Sequence, residues 1–283
     1  PYSQTGGIYK GRLDALSNVW SFVEHSTAKY VIMANCDVVT TIDFNPVLNQ
    51  HMESGADITL IYSKGYYDSE KNSCATILEF DENNHLKDVL VDPQISGECN
   101  MWLEMFIISR DFLKKIVFEA ASRNQSSFTR EILQGRKDEY KIMGYEHKGI
   151  FTRIDSVQSY YNANQMLLET EKRNALFVKN MPIYTKIGDN GPVKYGLDSS
   201  IKNSLIADGC VIEGTVENSI LFRGVKVGKG TVVKNCVLLQ GTKVGSNCSI
   251  SYVITDKNVE VSNDKVLTGS ETYPLYIGKE GKI

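Results

Sequence analysis

The sequence lacks the features that mark membrane, secreted and nucleic-acid-binding proteins. Its 283 residues include no apolar run near the roughly 18 residues that a membrane helix needs. The opening residues 1–7 have neither the basic region nor the apolar core of a signal peptide. Lysine and arginine total 31 against 34 acidic residues, and this near balance argues against a nucleic-acid partner. We therefore expect a cytoplasmic protein that binds neither membranes nor nucleic acids.

Cysteine and histidine do not occur in the patterns that hold metals or form disulfide frameworks. None of the six cysteines has C-x-x-C spacing, and the four histidines do not cluster with them. Neither a zinc site nor a disulfide scaffold is expected in a chain long enough for a sizeable core. We expect reduced thiols that act as small apolar fillers, among them Cys210, Cys236 and Cys248 in the second half of the chain.

The first part of the chain alternates helical and strand patterns. Leu13, Leu16 and Trp20 recur at helical spacing. The apolar run 30–34, followed by Asn35-Cys36-Asp37, predicts a strand buried on both faces of a parallel sheet. Further helices are predicted over 44–53, 111–121, 126–133 and 156–173, and strands over 57–62, 75–80, 85–91, 103–108, 140–149 and 151–154. This alternation predicts an α/β fold with a mixed, mostly parallel sheet over residues 1–179.

Residues 180–283 differ in character from the first part. Two prolines and three glycines within 180–198 indicate an ordered linker. Four short blocks then begin at Asn203, Asn218, Asn235 and Ser251, at spacings of 15, 17 and 16 residues, with apolar steps near six between them. Three such steps per coil are typical of a β-helix, whose coils bury their apolar corners by stacking. We expect a left-handed parallel β-helix with a C-terminal cap over 199–283; a sandwich of short strands is the alternative.

Histidine is absent from the predicted β-helix. Hexapeptide β-helices often belong to acyltransferases that use a histidine as general base, and here every histidine precedes residue 148. The predicted β-helix therefore offers no candidate base for acyl transfer.

Two segments and the repeat together resemble a known enzyme family. The stretches Tyr9-Lys-Gly-Arg-Leu-Asp-Ala15 and Tyr30-Val-Ile-Met-Ala-Asn-Cys-Asp37, followed by the repeat, are similar to the bacterial ADP-glucose pyrophosphorylases. The resemblance implies a Rossmann-like nucleotidyltransferase domain joined to the β-helix. It also implies the reaction of ATP with glucose 1-phosphate to ADP-glucose and pyrophosphate. The family's opening strand and Gly-rich phosphate loop have no counterpart here, so we interpret the first domain as truncated at its N-terminal side.

The resemblance assigns roles to several positions, some of which depart from the family. Gly11, Asp14 and Ala15 keep part of the family's Gly-Thr-Ala-Asp-Ala segment, and Asp37 matches a carboxylate that holds Mg²⁺. The second metal carboxylate falls on Arg153, with Asp155 two residues further on and on the same side if the strand continues. The expected substrate cleft is then lined by Gly11, Asp14, Asp37, Asp92, Glu104, Arg153 and Asp155.

Two of these departures change charge. Asp92, within Val91-Asp92-Pro93, stands where the family's Glu-Lys-Pro places a lysine on the sugar phosphate, and Glu104 stands where small residues lie near the sugar. One like-charge contact at ~4 Å and a dielectric of ~20 is worth ~4 kcal/mol. We therefore expect no catalytic residue and no cofactor, as in the silent regulatory subunits of GlgD type. Such a chain would join a catalytic subunit in a hetero-tetramer, with a sugar phosphate as a possible effector.

Other functions stay open at this level. If the motifs are misregistered, the chain is an active adenylyltransferase with Mg²⁺ on Asp37. Translation-factor subunits reuse the same two-domain plan, so an exchange-factor-like scaffold is a further alternative. Arg12, Lys148 and Arg153 could also line an anion site where the metal site was.

Overall fold

The computed structural model describes residues 8–70 and 75–283, which form two compact units. The first unit holds residues up to Val38 together with Ile42–Gly149, and the second holds Val39–Thr41 together with Ile150–Ile283. The second unit thus begins earlier than the predicted β-helix and takes in the linker. No helix of the described residues is both long and apolar enough to cross a membrane.

The first unit is built from short helices around one sheet. In chain order, the elements up to residue 146 are α1 (Arg12–Asn18), α2 (Trp20–Glu24), β1 (Tyr30–Met33), β2 (Val38–Thr40), α3 (Phe44–Ser54), β3 (Ile58–Asp68), β4 (Thr76–Phe80), β5 (Leu86–Val91), β6 (Ser96–Ser109), α4 (Arg110–Ser122), a π-helix (Thr129–Gln134) and β7 (Ile142–Glu146). Strand β2 begins in the first unit and ends in the second. All the helices and strands predicted before residue 150 are present, although β3 and β6 are longer than expected.

The sheet is mixed, as predicted for the α/β fold, although four of its five strand pairings among the described residues are antiparallel. Its strand order is β5-β4-β6-β3-β7, and β1 also pairs with β6. Strands β1, β3, β4 and β7 run in one direction, whereas β5 and β6 run in the other. The prediction for β1 itself was wrong, because β1 pairs antiparallel with β6 and Ile32 is 46% exposed. An apolar run alone does not show how many neighbours a strand has.

Local signals explain the ends of α3 and the packing of α1. The Asp43 side chain accepts a hydrogen bond from Asn45 N–H at the start of α3, and Gly55 ends the helix in the left-handed conformation at φ 61°. Leu13, Leu16 and Trp20 are buried in the core of this unit, as their helical spacing predicts.

The second unit contains two helices and the β-helix. Its further elements are β8 (Phe151–Arg153), α5 (Val157–Met166), α6 (Thr170–Leu176), β9 (Lys194–Tyr195), β10 (Ser200–Lys202), β11 (Leu205–Ile206), β12 (Val211–Ile212), β13 (Thr215–Glu217), β14 (Ile220–Leu221), β15 (Lys226–Val227), β16 (Val232–Lys234), β17 (Val237–Leu238), β18 (Lys243–Val244), β19 (Ser249–Ser251), β20 (Val253–Thr255), β21 (Glu260–Val261), β22 (Val266–Thr268) and β23 (Leu275–Ile277). The helix expected over 156–173 is two helices, because Glu169 takes an extended conformation before α6. Ser156 caps α5 as predicted, and Ser159 completes its capping box.

Three parallel sheets form the walls of the β-helix. Their strand orders are β10-β13-β16-β19-β22, β11-β14-β17-β20-β23 and β21-β18-β15-β12-β9, so successive coils stack in register. Within each sheet every neighbour pair is parallel. The predicted parallel β-helix is confirmed, and the sandwich alternative is excluded.

One corner of the coils carries a column of residues in the left-handed conformation. Asn203, Asn218, Asn235 and Tyr252 have φ values of 44°, 47°, 51° and 54°. Asn203 Nδ2 donates to Asn218 Oδ1 at 2.8 Å, and asparagine tolerates this conformation better than most residues. The fourth block therefore begins at Tyr252 rather than at Ser251, and the spacings are 15, 17 and 17.

Small polar and sulfur-containing side chains are buried among the aliphatic ones inside the coils. Cys210, Cys236 and Cys248 are buried and free, as predicted. The backbone N–H of Cys236 donates to Ser219 Oγ at 3.0 Å, which satisfies a polar group that would otherwise be buried without a partner. Cys74 lies outside the described residues.

Helix α5 belongs with the coils because Tyr161 packs on them. This side chain is buried, its ring clusters with Val237 and Ile254, and its hydroxyl donates to the Asn235 carbonyl at 3.0 Å. Residues 157–166 therefore pack as part of the second unit.

Candidate functional site

Three of the predicted cleft residues of the first unit, Gly11, Asp14 and Glu104, lie at the start of α1 or contact it. Gly11 precedes this helix, and a Cβ on Gly11 would lie 2.4 Å from the Ser126 carbonyl oxygen. Leu13 N–H donates to the same oxygen at 3.0 Å. Gly11 thus permits a close backbone approach that any side chain would block.

Strand β6 carries a bulge at the point where it faces α1. Tyr62 of β3 pairs with Trp102 and the preceding Ile61 pairs with Met105, so Leu103 and Glu104 have no direct counterpart. Glu104 adopts φ 56°, in the left-handed region that favours glycine. Bulges of this kind redirect a side chain, and here the redirected group is a carboxylate.

Arg12 and Glu104 form an ion pair in which both side chains have further partners. Arg12 Nη2 lies 2.8 Å from Glu104 Oε2 and donates to Asn35 Oδ1 at 2.7 Å. Thr76 Oγ1 donates to the second carboxylate oxygen of Glu104 at 3.4 Å. The two charged side chains are only 20% and 13% exposed, so solvent screens the pair weakly.

Aromatic rings surround the Arg12 guanidinium. Its Cζ atom lies 5.5 Å from the ring centroid of Trp102, 5.7 Å from that of Phe106 and 5.9 Å from that of Phe128. Phe106 and Phe128 stack at 4.5 Å with an angle of 13° between their planes. Distances under about 6 Å are those of cation–π contacts. We call Trp102, Glu104, Phe106 and Phe128 the guanidinium cage.

The structure does not bring the other predicted residues of the first unit into this cage. Asp14 accepts a hydrogen bond from the Lys10 backbone N–H at 3.0 Å and one from Asn18 Nδ2 at 3.3 Å. Asp37 follows β1 and is half-buried. Asp92 is exposed in the left-handed conformation at φ 48°, and its N–H donates to the Ala75 carbonyl at 2.8 Å.

Arg153 and Asp155 belong to the second compact unit. Arg153 is the last residue of β8, and the strand ends before Asp155. The backbone N–H of Asp155 donates to Ser159 Oγ at 2.9 Å, which places Asp155 just before the α5 cap. The strand does not continue to Asp155, so the condition for a shared face with Arg153 is not met.

No cluster of carboxylates among the described residues marks a magnesium site. Across residues 8–70 and 75–283, no three histidine, cysteine, aspartate or glutamate side chains come close enough together to hold a metal ion. Magnesium is usually held in an octahedral set of oxygens by one or two carboxylates together with waters and substrate phosphates. Asp37 is thus a single candidate donor without a cluster, and no reaction step can be derived through a metal here.

The sequence placed Arg12 in an anion site and did not predict its contact with the carboxylate of Glu104. The family-like segment shows Arg12 in the place of a threonine, and Glu104 in the place of a small residue. Each departure is visible separately, but the two residues are 92 positions apart in the sequence, and nothing local shows that they are in contact. The only hint in the sequence was that Arg12 introduces a positive charge and Glu104 a negative one.

The fold and the repeat define a class: an α/β domain of nucleotidyltransferase type followed by a hexapeptide-repeat β-helix. Residues 193–272 match the GlmU-like C-terminal hexapeptide family. Glycogen biosynthesis protein GlgD of Bacillus subtilis (strain 168) is 34% identical over 95% of this chain and 68% of the relative. GlgD of Geobacillus stearothermophilus is 34% identical over 74% of this chain and 50% of the relative.

Glucose-1-phosphate adenylyltransferase of Mycoplasma mobile is 28% identical over 81% of this chain and 60% of its own. The chain thus spans half to about two thirds of the length of these relatives. It belongs to the GlgD-type branch of the ADP-glucose pyrophosphorylase family, which confirms the resemblance seen in the sequence.

Proposed function

We propose that this protein is a regulatory, catalytically silent subunit of glucose-1-phosphate adenylyltransferase in bacterial glycogen synthesis. The names of its relatives, a glycogen biosynthesis protein and the adenylyltransferase itself, support the pathway. The observation that carries the silent part is the reversal of charge at two positions. An acid, Asp92, and a base, Arg153, occupy the positions expected for a phosphate-binding lysine and a metal-binding carboxylate.

The first reversal weakens sugar-phosphate binding. Asp92 follows β5 on an exposed corner, so its carboxylate is solvated. A like-charge contact at ~4 Å costs about 1 kcal/mol in water and about 4 kcal/mol at a dielectric near 20. The loss of the lysine attraction adds to this repulsion. Together these terms weaken binding by one to several powers of ten.

The second reversal disfavours a divalent cation. Arg153 ends β8 and carries a permanent positive charge. Phosphoryl and nucleotidyl transfer depend on cations that neutralise the developing phosphate charge. An arginine in place of a carboxylate changes the local charge by two units and repels such a cation. The full-length chain therefore acts without its own bound metal.

A silent copy can still control a catalytic partner. We propose that it assembles with the catalytic subunit in the cytoplasm, as part of a hetero-tetramer, and shifts the partner between less and more active states. Coupling of this kind is typically 1–3 kcal/mol, or roughly 5- to 150-fold in an equilibrium constant. A sugar phosphate is the proposed class of effector.

The test compares the full-length protein alone, the catalytic subunit of the same organism alone, and the two mixed. ADP-glucose formation is measured with ATP, glucose 1-phosphate and Mg²⁺, and assembly by size-exclusion chromatography with light scattering. We expect no turnover by this protein alone, a mixed oligomer, and altered kinetics of the partner. A matched amount of heat-denatured protein is the control for the mixture.

Two outcomes would overturn the proposal. Turnover by this protein alone at a rate near that of the catalytic subunit would make it an active adenylyltransferase. Failure to associate, together with capture of a GTPase from the same cells, would favour the scaffold function instead.

A further inference from the structure

Asn190 and Gly191 form the one Asn-Gly pair in the sequence, and the structure presents it to solvent. Both residues are exposed and lie in a segment without helix or strand. Glycine has no Cβ, so its backbone nitrogen can reach the side-chain carbonyl carbon of a preceding asparagine. We propose that Asn190 is a site of spontaneous deamidation and that its conversion releases the segment 186–191 from the β-helix.

The reaction requires the chain and water alone. The Gly191 backbone nitrogen, after loss of its proton, forms a bond to Asn190 Cγ. The bond between Cγ and Nδ2 then breaks, and the side-chain nitrogen leaves as ammonia. Water opens the resulting succinimide ring at one of its two carbonyl carbons, which gives either aspartate or isoaspartate at position 190. Both products carry a carboxylate in place of the amide.

The backbone at Gly191 is not held on the side where the reaction begins. Within the described residues its N–H donates to no backbone carbonyl, whereas its own carbonyl accepts a hydrogen bond from Gly209 N–H at 2.7 Å. A Cβ on Gly191 would meet no atom within 4 Å. This open space leaves room for the nitrogen to turn toward the asparagine side chain.

An Asn-Ser pair of the β-helix shows the opposite arrangement. Asn218 precedes Ser219, which is buried and whose N–H donates to Ser204 Oγ at 3.2 Å. Asn218 itself is in the left-handed conformation, and its N–H donates to the Lys202 carbonyl at 3.1 Å. A backbone nitrogen held in this way does not reach the preceding side chain. The coils therefore protect Asn218, and Asn190 is the asparagine that reacts.

The side chain of Asn190 helps to hold its segment on the coils. It donates to the Asp208 carboxylate, and this is the largest of the contacts that lower the pKa of Asp208. A carboxylate at position 190 accepts hydrogen bonds and cannot donate them. Deamidation therefore replaces the contact with Asp208 by a repulsion between like charges.

Arg223 makes a second connection between this segment and the coils. Its Nη1 donates to the Lys186 carbonyl at 2.8 Å, and its Nε lies 3.4 Å from Asp208 Oδ1. A Cβ on Gly188 would lie 3.2 Å from both Arg223 Nη1 and Asn190 Nδ2. The new carboxylate thus forms beside Arg223 and competes with the Lys186 carbonyl for it. Both effects loosen the segment 186–191.

The test follows the full-length protein during incubation at physiological temperature, at neutral and at mildly alkaline pH. Tryptic digestion releases residues 187–194 as one peptide, which mass spectrometry compares with the same peptide from fresh protein digested in parallel. We expect a gain of about one dalton in this peptide before any other asparagine-containing peptide changes. The gain should be faster at alkaline pH, because the attacking nitrogen must lose its proton, and isoaspartate should be detected with an isoaspartate methyltransferase.

Two variants separate the reaction from its consequence. Gly191→Ala should keep the wild-type Tm, because the site has room for a methyl group and Gly191 is outside the left-handed region, and it should slow the gain in mass strongly. Asn190→Asp carries the product charge from the start. In brief digestion of folded protein, trypsin should cut after exposed Lys186 faster in aged wild type and in fresh Asn190→Asp than in fresh wild type. Aged Gly191→Ala should be cut like fresh wild type.

Three results would overturn the inference. An unchanged mass of peptide 187–194, or an equal gain in the peptide that contains Asn218, would mean that the structure does not select Asn190. Equal cleavage after Lys186 in fresh wild type and Asn190→Asp would mean that the charge does not release the segment. None of these results bears on assembly with a catalytic subunit.

Discussion

The contact between α5 and the coils predicts that two substitutions of Tyr161 lower the free energy of unfolding by different amounts. Tyr161→Phe removes the hydrogen bond to the Asn235 carbonyl while it keeps the ring in place. A net loss of about 1 kcal/mol in the free energy of unfolding is expected, because the buried carbonyl loses its donor. Tyr161→Ala also removes the ring from its packing against Val237 and Ile254, and about 3–5 kcal/mol is expected.

Urea titration followed by far-UV circular dichroism measures both variants, since the tryptophans report on the other unit. Tyr184→Phe is the matched control, because this residue is 91% exposed and its replacement should change stability by less than about 0.5 kcal/mol. Burial also raises the pKa of Tyr161, so the stability that it contributes is lost as the pH rises above about 10. If the free energy of unfolding of Tyr161→Ala lay within about 1 kcal/mol of the wild-type value, the packing of Tyr161 on the coils would be refuted.

Three further predictions concern other sites. Burial lowers the pKa of His51, so the folded state binds a proton there less readily than the unfolded chain does. The free energy of unfolding should therefore fall as the pH drops below about 6.5, and it should fall less in His51→Gln. Urea titrations that give the same pH dependence for both proteins would contradict this. Burial raises the pKa of the Cys236 thiol to about 12, so a thiol reagent at about pH 8 should label exposed Cys36 at once and Cys236 only after unfolding. Gly55→Ala should cost about 1 kcal/mol in chemical denaturation and Gly55→Asn less, because Gly55 has φ 61°; equal losses would count against the conformational explanation.

The repeat was the most predictable part of the fold. A period near 17 residues with inward apolar positions fixes both the strands and their stacking, because each coil buries its corner only against the next. The register of the fourth block was missed for a local reason. Tyr252 takes the left-handed position that asparagine holds in the three preceding coils, and residue type alone pointed to Ser251.

The α/β unit was predictable element by element but not in its pairing. The run at 30–34 correctly indicates a strand, yet nothing within it tells that β6 lies beside it in the opposite direction. Similarly, no glycine or proline marks the break between α5 and α6 at Glu169. Both properties depend on contacts with distant segments, so a local pattern cannot contain them.

The candidate site was predictable as a set of substitutions and not as a set of contacts. The sequence identifies Glu104 as unusual, and the structure shows its partner to be Arg12. The conformation that makes the contact possible is a bulge with a left-handed residue, which strand propensity would not suggest. Functional sites are where such local rules are most often broken.

The stacking of the coils makes the β-helix modular in length. Each sheet grows by one strand per coil, and every strand bonds only to the strand before and the strand after it. Duplication of one 17-residue segment, such as the span from Asn218 to Lys234, would therefore add a complete layer of about 4.8 Å without disturbing a closed core. The molecule can thus lengthen by gene duplication or by design in whole coils, whereas its α/β unit has no comparable direction of growth.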